Sequence, residues 1–241
     1  MTAVDTPALL VDAEKLENNI EQMAGLARDN GVKLRPHIKA HKSPWITARQ
    51  LQAGAAGITA AKLGEAEVMA ESGVEDIFLA YQVIGQEKWD RLLRLAERAR
   101  VSVAIDSWQG GQLLNDYLAD KGSKLDYLLE IDTGLKRCGL PPGDEAARLL
   151  SRALDWQHLN FSGIFTHAGH VYKASSPAEV ARIGKEEGTQ LVMTARMIEE
   201  AGINVPVISV GATPTVRYSA AVPGVTEIRP GNYVFYDTIQ V

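Results

Sequence analysis

The chain is poor in cysteine, with Cys138 alone among its 241 residues. One thiol cannot form an internal bridge, so no disulfide framework is expected, and the cysteine usage fits a reducing cytoplasm. Aromatic residues make up 6%. Trp45, Trp89, Trp108 and Trp156 lack the interleaved basic residues of a single-strand binder, which leaves packing as their expected role. There is no excess of positive charge: 25 Lys and Arg against 30 Asp and Glu give a formal charge of −5. That balance argues against a general nucleic-acid partner. No apolar run approaches a membrane span, and the opening "MTAVDTPALLVD" lacks the basic-then-apolar order of a secretory signal. Gly/Ser-rich linkers and low-complexity tracts are missing too, so one domain over 1–241 is expected. A hydrophobic fraction of 46% is enough for a sizeable core.

What is present is a repeat of short β-rich runs, each followed by a segment with helical spacing. The runs are "KLRPH" (33–37), "GITAA" (57–61), "DIFLAY" (76–81), "VSVAID" (101–106), "DYLLEID" (126–132), "LNFSGIFTH" (159–167), "VPVISVG" (205–211) and "EIRPG" (227–231). Between them, "KLGEAEVMAESG" (62–73) and "QEKWDRLLRLAERAR" (86–100) read as amphipathic helices. In the second, Trp89, Leu92, Leu93, Leu95 and Ala96 share one stripe. "EEGTQLVMTARMIEEAG" (186–202) reads as a helix ending at a glycine. Eight such units predict an α/β fold of the (β/α)8 TIM-barrel type, with a doubly wound open sheet as the competitor; the length favours the barrel. Barrels place chemistry at the carboxyl ends of their strands. Lys39 follows the first run, Arg137 the fifth, His167 the sixth, Gly211 the seventh and Gly231 the eighth.

The segment "KLRPHIKAHKSP" (33–44) concentrates basic side chains in an acidic chain. Pro36 pushes Arg35 towards an extended conformation. If that extension continues, Arg35, His37, Lys39 and His41 share one face. Like charge from Arg35 and Lys42 would lower the pKa of Lys39, and a free amine is what condenses with a carbonyl. A basic surface loop is the plain alternative, and a metal site at His37 and His41 a weaker one, lacking an evident third ligand. Two turns favour the amine chemistry. "SVGATPTV" (209–216) puts small residues and hydroxyls where a helix begins, a setting that holds phosphate. In "RPGNY" (229–233), Gly231 lets the backbone approach a ligand. Barrel phosphate sites commonly use the loops after strands seven and eight. Opposite a crowded lysine, these turns point to a phosphorylated aldehyde cofactor.

"RPHIKAHK", "KLGEAEVMAESG", "IDTGLKRCG", "THAGHVY", "GATPT" and "RPGNYVFYD" resemble the D-threonine aldolase and D-serine dehydratase family. Its members are pyridoxal-phosphate enzymes with the alanine-racemase N-terminal type of barrel, fold type III. The resemblance runs from "TPALLVD" to the closing "YD". It implies that Lys39 forms the Schiff base with pyridoxal 5'-phosphate, and that Gly211, Ala212, Thr213, Gly231 and Asn232 surround the phosphate. His167 and Tyr172 match cofactor-proximal positions. Family members continue into a smaller β-domain carrying ligands for a divalent metal, Mn or Zn. This sequence stops at "FYDTIQV", which reads as a fragment of such a chain, and a metal is expected only with the absent domain. The implied substrate is a small D-β-hydroxy amino acid; no membrane or nucleic-acid partner is expected, and a homodimer is.

Under this reading Lys39 is also the base at the substrate α-carbon, with Lys42 a neighbouring charge. His167 and His170 divide between the cofactor ring and the substrate hydroxyl, or else cap the backbone. Arg137 sits under the cofactor or pairs with Glu130 or Asp132. Cys138 is given no role. Retro-aldol cleavage leads the expected reactions; β-elimination, racemisation and a non-catalytic cofactor-carrier barrel are the alternatives.

Overall fold

Each predicted strand is present. In the computed structural model, which describes residues 5–236, the strands are β1 (Lys33–Leu34), β2 (Ile58–Ala60), β3 (Asp76–Leu79), β4 (Arg100–Ile105), β5 (Leu125–Glu130), β6 (Leu159–Phe165), β7 (Val207–Val210) and β8 (Glu227–Ile228). All pair in parallel, in the order β1-β8-β7-β6-β5-β4-β3-β2. The two remaining edges meet just beyond β1. There His37 bridges to Thr59, and the Ala56 and Thr59 N–H groups donate to the Leu34 and Pro36 carbonyls at 2.8 Å each. The sheet therefore closes on itself, and the open doubly wound alternative is excluded.

The helices are α1 (Ala13–Asp29), α2 (Pro44–Gln52), α3 (Leu63–Glu71), α4 (Gln86–Ala96), α5 (Trp108–Asp120), α6 (Asp144–Arg152), α7 (Pro177–Glu200) and α8 (Val216–Ser219). In α4, Trp89, Leu92 and Leu95 of the predicted stripe are buried, while Leu93 and Ala96 lie at its margin. Helix α7 starts nine residues before its predicted beginning. Ser176 caps it by accepting the Glu179 N–H, and Pro177 opens its first turn. The sequence reading assigns no helix ahead of β1. Helix α1 stands there with Leu16, Ile20, Met23, Ala24 and Ala27 buried. It packs on β1 and on the 3-10 turn Asn232–Val234 that follows β8, and Asn19 Nδ2 donates to Val234 O at 3.1 Å. It covers the seam where the eighth helix of a regular repeat would lie. No helix among the described residues is long and apolar enough to cross a membrane. The closing "DTIQV" (237–241) lies outside the described residues.

Two hydrophobic layers result, besides a small buried cluster of Ala168, Val171, Ile183 and Ala212. The larger lies between strands and helices. The smaller, inside the barrel, consists of Phe78, Ala104, Leu128 and Phe165, with the two phenylalanine rings edge to face at 4.9 Å. A register shift between Tyr127 and Leu128 skips Ser162. Beside it, Gly163 has φ +144 and passes so close to β7 that a Cβ would fall 2.1 Å from Val207 O. The inner layer forms the floor beneath the carboxyl-end mouth.

Candidate active site

The chain does not stay extended from Arg35 to His41. After His37 it turns through a 3-10 segment, Ile38–Ala40, in which the Lys39 N–H lies 3.4 Å from His37 Nδ1. Lys42 follows with φ 52. The turn distributes the basic cluster in three directions. Arg35 points to the opposite end of the barrel, where it bonds Asp76 at 2.5 Å and Glu227 at 2.8 Å. Lys42 pairs with Glu65 at 3.3 Å. His41 faces α2, with Nδ1 accepting the Ser43 N–H at 3.1 Å. The expected shared face of four side chains is thus corrected. Among the described residues, no cluster of three or more His, Cys, Asp or Glu is placed to hold a metal ion.

Lys39 stands at the mouth with His37, Arg137, His167, Tyr172 and Arg229 around it. Across the mouth lie Gly211, Ala212 and Thr213 from the turn after β7, and Gly231 and Asn232 from the turn after β8. Nine of the ten residues singled out from the sequence line this one pocket. The exception is His170, on the 3-10 turn Gly169–Lys173. Its ring packs so close to Gly134 that a Cβ there would be 2.9 Å from Cε1, and its Nδ1 is buried without a partner.

Lys39 keeps an open side towards solvent, yet its amine pKa is lowered. Burial is the largest cause, followed by Arg137 and Arg229, with Glu65 opposing. The direction matches expectation; the neighbours responsible are not Arg35 and Lys42. His167 Nδ1 lies 3.0 Å from Gly211 O. A carbonyl only accepts, so Nδ1 carries the proton and Nε2 keeps its lone pair. Burial first, then Lys39, pushes His167 down to about 4. Burial likewise depresses His41 to about 4 and holds His37 well below the usual range.

These histidines make stability pH-dependent. Unfolded, each takes a proton near pH 6.5; folded, His41 and His167 do so only near pH 4. The unfolded state binds more protons between those values, so stability falls as pH drops through that window. Each of the two contributes about 3 kcal/mol to the fall. Urea unfolding at pH 7.5 and 4.5 is expected to show the drop, and a His167→Gln chain a shallower one. Equal slopes for the two chains would contradict the assignment.

Arg137 makes one of the two ion pairs the sequence allowed, the one with Glu130. It lines the pocket, and its Nη2 lies 3.8 Å from Glu130. Asp132 instead accepts the Gly134 and Lys136 N–H groups at 2.9 and 3.0 Å, fixing the loop. Cys138 Sγ lies 3.2 Å from Glu130 Oε1. Arg229 was missed. It is 5% exposed, bonds Ser209 Oγ and the Thr166 carbonyl, and lies 5.0 Å from the Phe165 ring centroid. Its signal was register: two residues past Glu227, it turns into the barrel on the same side. His37, Ala80 and Phe165 complete the lining.

A lysine poised towards its free base, facing a turn of small residues in the mouth of a parallel barrel, defines a class. It is that of parallel barrels carrying an amine, held towards its neutral form, at the carboxyl-end mouth. Within that class, the chain belongs to the family described as alanine racemase, N-terminal domain, whose pattern matches residues 11–238. It is 33% identical over 237 residues to the D-threonine aldolase of Arthrobacter sp, covering 98% of this chain and 62% of that protein. It is also 33% identical over 241 residues to the D-threo-3-hydroxyaspartate dehydratase of Delftia sp. (strain HT23), covering 99% and 63%. The crystal structure of D-threonine aldolase from Filomicrobium marinum superposes with a TM-score of 0.94 at 32% identity, covering 98% of this chain and 64% of that one. Alanine racemase of Clostridium difficile 630, at 16% identity and a TM-score of 0.76, shares the fold. The chain therefore spans a little over three-fifths of the length of these relatives.

The family implies pyridoxal phosphate, and the residues present fit it. Thr213 Oγ1 is buried without a partner beside the pocket, which is what a phosphate oxygen would satisfy. A Cβ on Gly231 would stand 3.1 Å from His37 O, so glycine lets that turn pass close over the lysine segment without crowding it.

Proposed function

We propose that this barrel is the cofactor-binding unit of a pyridoxal-phosphate lyase acting on D-β-hydroxy amino acids, with retro-aldol cleavage to glycine and an aldehyde. The observation that carries the reading is the opposition of a pKa-lowered Lys39 to the Gly211–Thr213 turn with its unpartnered Thr213 hydroxyl. When bound, pyridoxal phosphate supplies the aldehyde that Lys39 captures and a conjugated ring that accepts the electron pair of a breaking bond at the substrate α-carbon.

The chain's own groups divide the remaining work. Lys39 would hold the cofactor's aldehyde through its neutral amine and would serve as the proton carrier at the substrate α-carbon. Ala212, Thr213, Gly231 and Asn232 grip the phosphate. His167, neutral and held by Gly211 O, offers Nε2 as an acceptor for the substrate hydroxyl proton. Arg137 and Arg229 keep the mouth cationic, which suits an anionic cofactor and a substrate carboxylate. Tyr172 lies at the rim, where it orients the ring or the substrate. A divalent ion, Mn or Zn, is expected from the part of the relatives' length that this chain does not span, and assembly as a homodimer in the cytoplasm completes the reading.

Equal identity to the Delftia dehydratase supports β-elimination as the second reading. Incubating the full-length polypeptide, loaded with pyridoxal phosphate and Mn or Zn, with D-threonine, D-serine and D-3-hydroxyaspartate separates the two. Glycine with an aldehyde is the expected product; ammonia with a 2-oxo acid would favour elimination. Bound cofactor with no product from any D-substrate would leave the carrier barrel in its place.

A further inference from the structure

Helix α7 contributes a buried carboxylate to the underside of the phosphate turn. Glu187 is 1% exposed. Its Oε1 accepts the Gly211 N–H at 3.0 Å, its Oε2 accepts the Thr215 hydroxyl at 2.8 Å, and the Ala168 N–H donates to the same group. The helix comes this near because glycines flank the acid. A Cβ on Gly184 would meet Thr215 O at 2.9 Å, and one on Gly188 would meet Val222 Cγ2 at 2.7 Å. Burying a carboxylate costs several kcal/mol before its partners repay it. Burial raises the Glu187 pKa, and the three donors and Arg229 oppose that rise. A leucine would avoid this cost but leave the Gly211 and Ala168 N–H groups and the Thr215 hydroxyl without this acceptor, so the contacts themselves are the reason for an acid.

The Gly211 peptide is gripped from its other side as well. Its carbonyl accepts His167 Nδ1–H at 3.0 Å. With φ +148, the residue adopts a conformation that side chains rarely tolerate. Both polar groups of Gly211 are thus committed to the protein, so its N–H is not a phosphate donor as a glycine-rich turn would suggest. What the grip fixes is the direction of the next residues. Ala212 and Thr213 line the pocket, and Thr213, 7% exposed, holds its hydroxyl there without a partner.

We propose that Glu187 is the positioning residue of this turn: by holding the Gly211 N–H and the Thr215 hydroxyl it presents Ala212 and Thr213 to the phosphoryl group of the ligand. The proposal rests on the pocket being a pyridoxal-phosphate site. A carboxyl group suits the task because it offers two acceptor oxygens, one to each donor, whereas an amide offers one.

Pyridoxal phosphate and pyridoxal differ only in the phosphoryl group, so the ratio of their affinities, from imine absorbance, reads the turn alone. Glu187→Leu is expected to lower that ratio roughly tenfold, the scale of one lost charge-assisted hydrogen bond, with pyridoxal affinity changed less than about twofold. Glu187→Gln keeps an acceptor for Gly211 N–H, and Thr215 can turn its hydroxyl to Ala212 O at 3.2 Å. It is expected to hold the ratio within about threefold of the parent. Since leucine among polar donors endangers folding, Thr215→Val provides the second variant; it removes one held donor and should lower the ratio by about threefold. Equal losses for both aldehydes, or an unchanged ratio in Glu187→Leu and Thr215→Val, would overturn the positioning role while wild-type preference for the phosphorylated aldehyde stands. A wild-type chain with no such preference would overturn the pocket reading itself.

Discussion

A Lys39→Ala chain gives no imine absorbance with pyridoxal phosphate, and its retention of the aldehyde falls by about a thousandfold, or ~4 kcal/mol. The reason is positional as well as chemical. Lys39 is the amine that burial, Arg137 and Arg229 together press towards the free base, and it stands in the pocket that Ala212 and Thr213 close. Lys42, three residues on, cannot replace it. Its backbone turns through φ 52, and its amine is engaged by Glu65 at 3.3 Å. Absorbance titration of the two chains side by side checks this. Full imine formation by the alanine chain would move the chemistry to another lysine.

The second large effect lies beneath the pocket. Replacing Glu227 by leucine is expected to cost about 3–5 kcal/mol of stability, because it strands buried positive charge. Glu227 Oε2 accepts from Arg35 Nε at 2.8 Å, and its Oε1 accepts from Ser209 Oγ at 2.7 Å. That same hydroxyl receives the Arg229 guanidinium. The carboxylate is thus the anion between a guanidinium at the foot of the barrel and another under the mouth. Burial draws Arg229 down to about 10, with Glu227 foremost among the charges that oppose the fall. Denaturant midpoints of the parent and Glu227→Leu chains measure the cost. Saturating pyridoxal phosphate should recover part of it, since a ligand at about 100 times its Kd contributes about 2.7 kcal/mol. A loss below about 1 kcal/mol would mean that the polar chain through the barrel carries little of the stability.

Much of this architecture was legible in the residues. Parallel strands buried on both faces read as short β-rich runs, and the intervening helices betray themselves by stripes such as Trp89, Leu92 and Leu95. Strand order then followed from the barrel rule, and with it the meeting of Lys39, Arg137, His167, Gly211 and Gly231 at one end. The failures share a cause. The fate of "RPHIKAHK" depended on where extension stopped, and a 3-10 turn at Ile38–Ala40 sent Arg35 and His41 away from Lys39. Arg229 and Glu187 escaped notice because their roles come from contacts across 20 or more residues, to Ser209 in one case and to Gly211 and Thr215 in the other. In sequence, Glu187 is one of two adjacent glutamates on a charged helix. Only the close pass allowed by Gly184 and Gly188 makes it internal.

The most direct measurement is reductive trapping. The chain is incubated with pyridoxal phosphate, reduced with borohydride, digested, and mapped by mass spectrometry. A single phosphopyridoxyl group on the peptide carrying Lys39 is the predicted outcome. Label on Lys42 or Lys62, or spread over surface lysines with Lys39 unmodified, would contradict the account at its root.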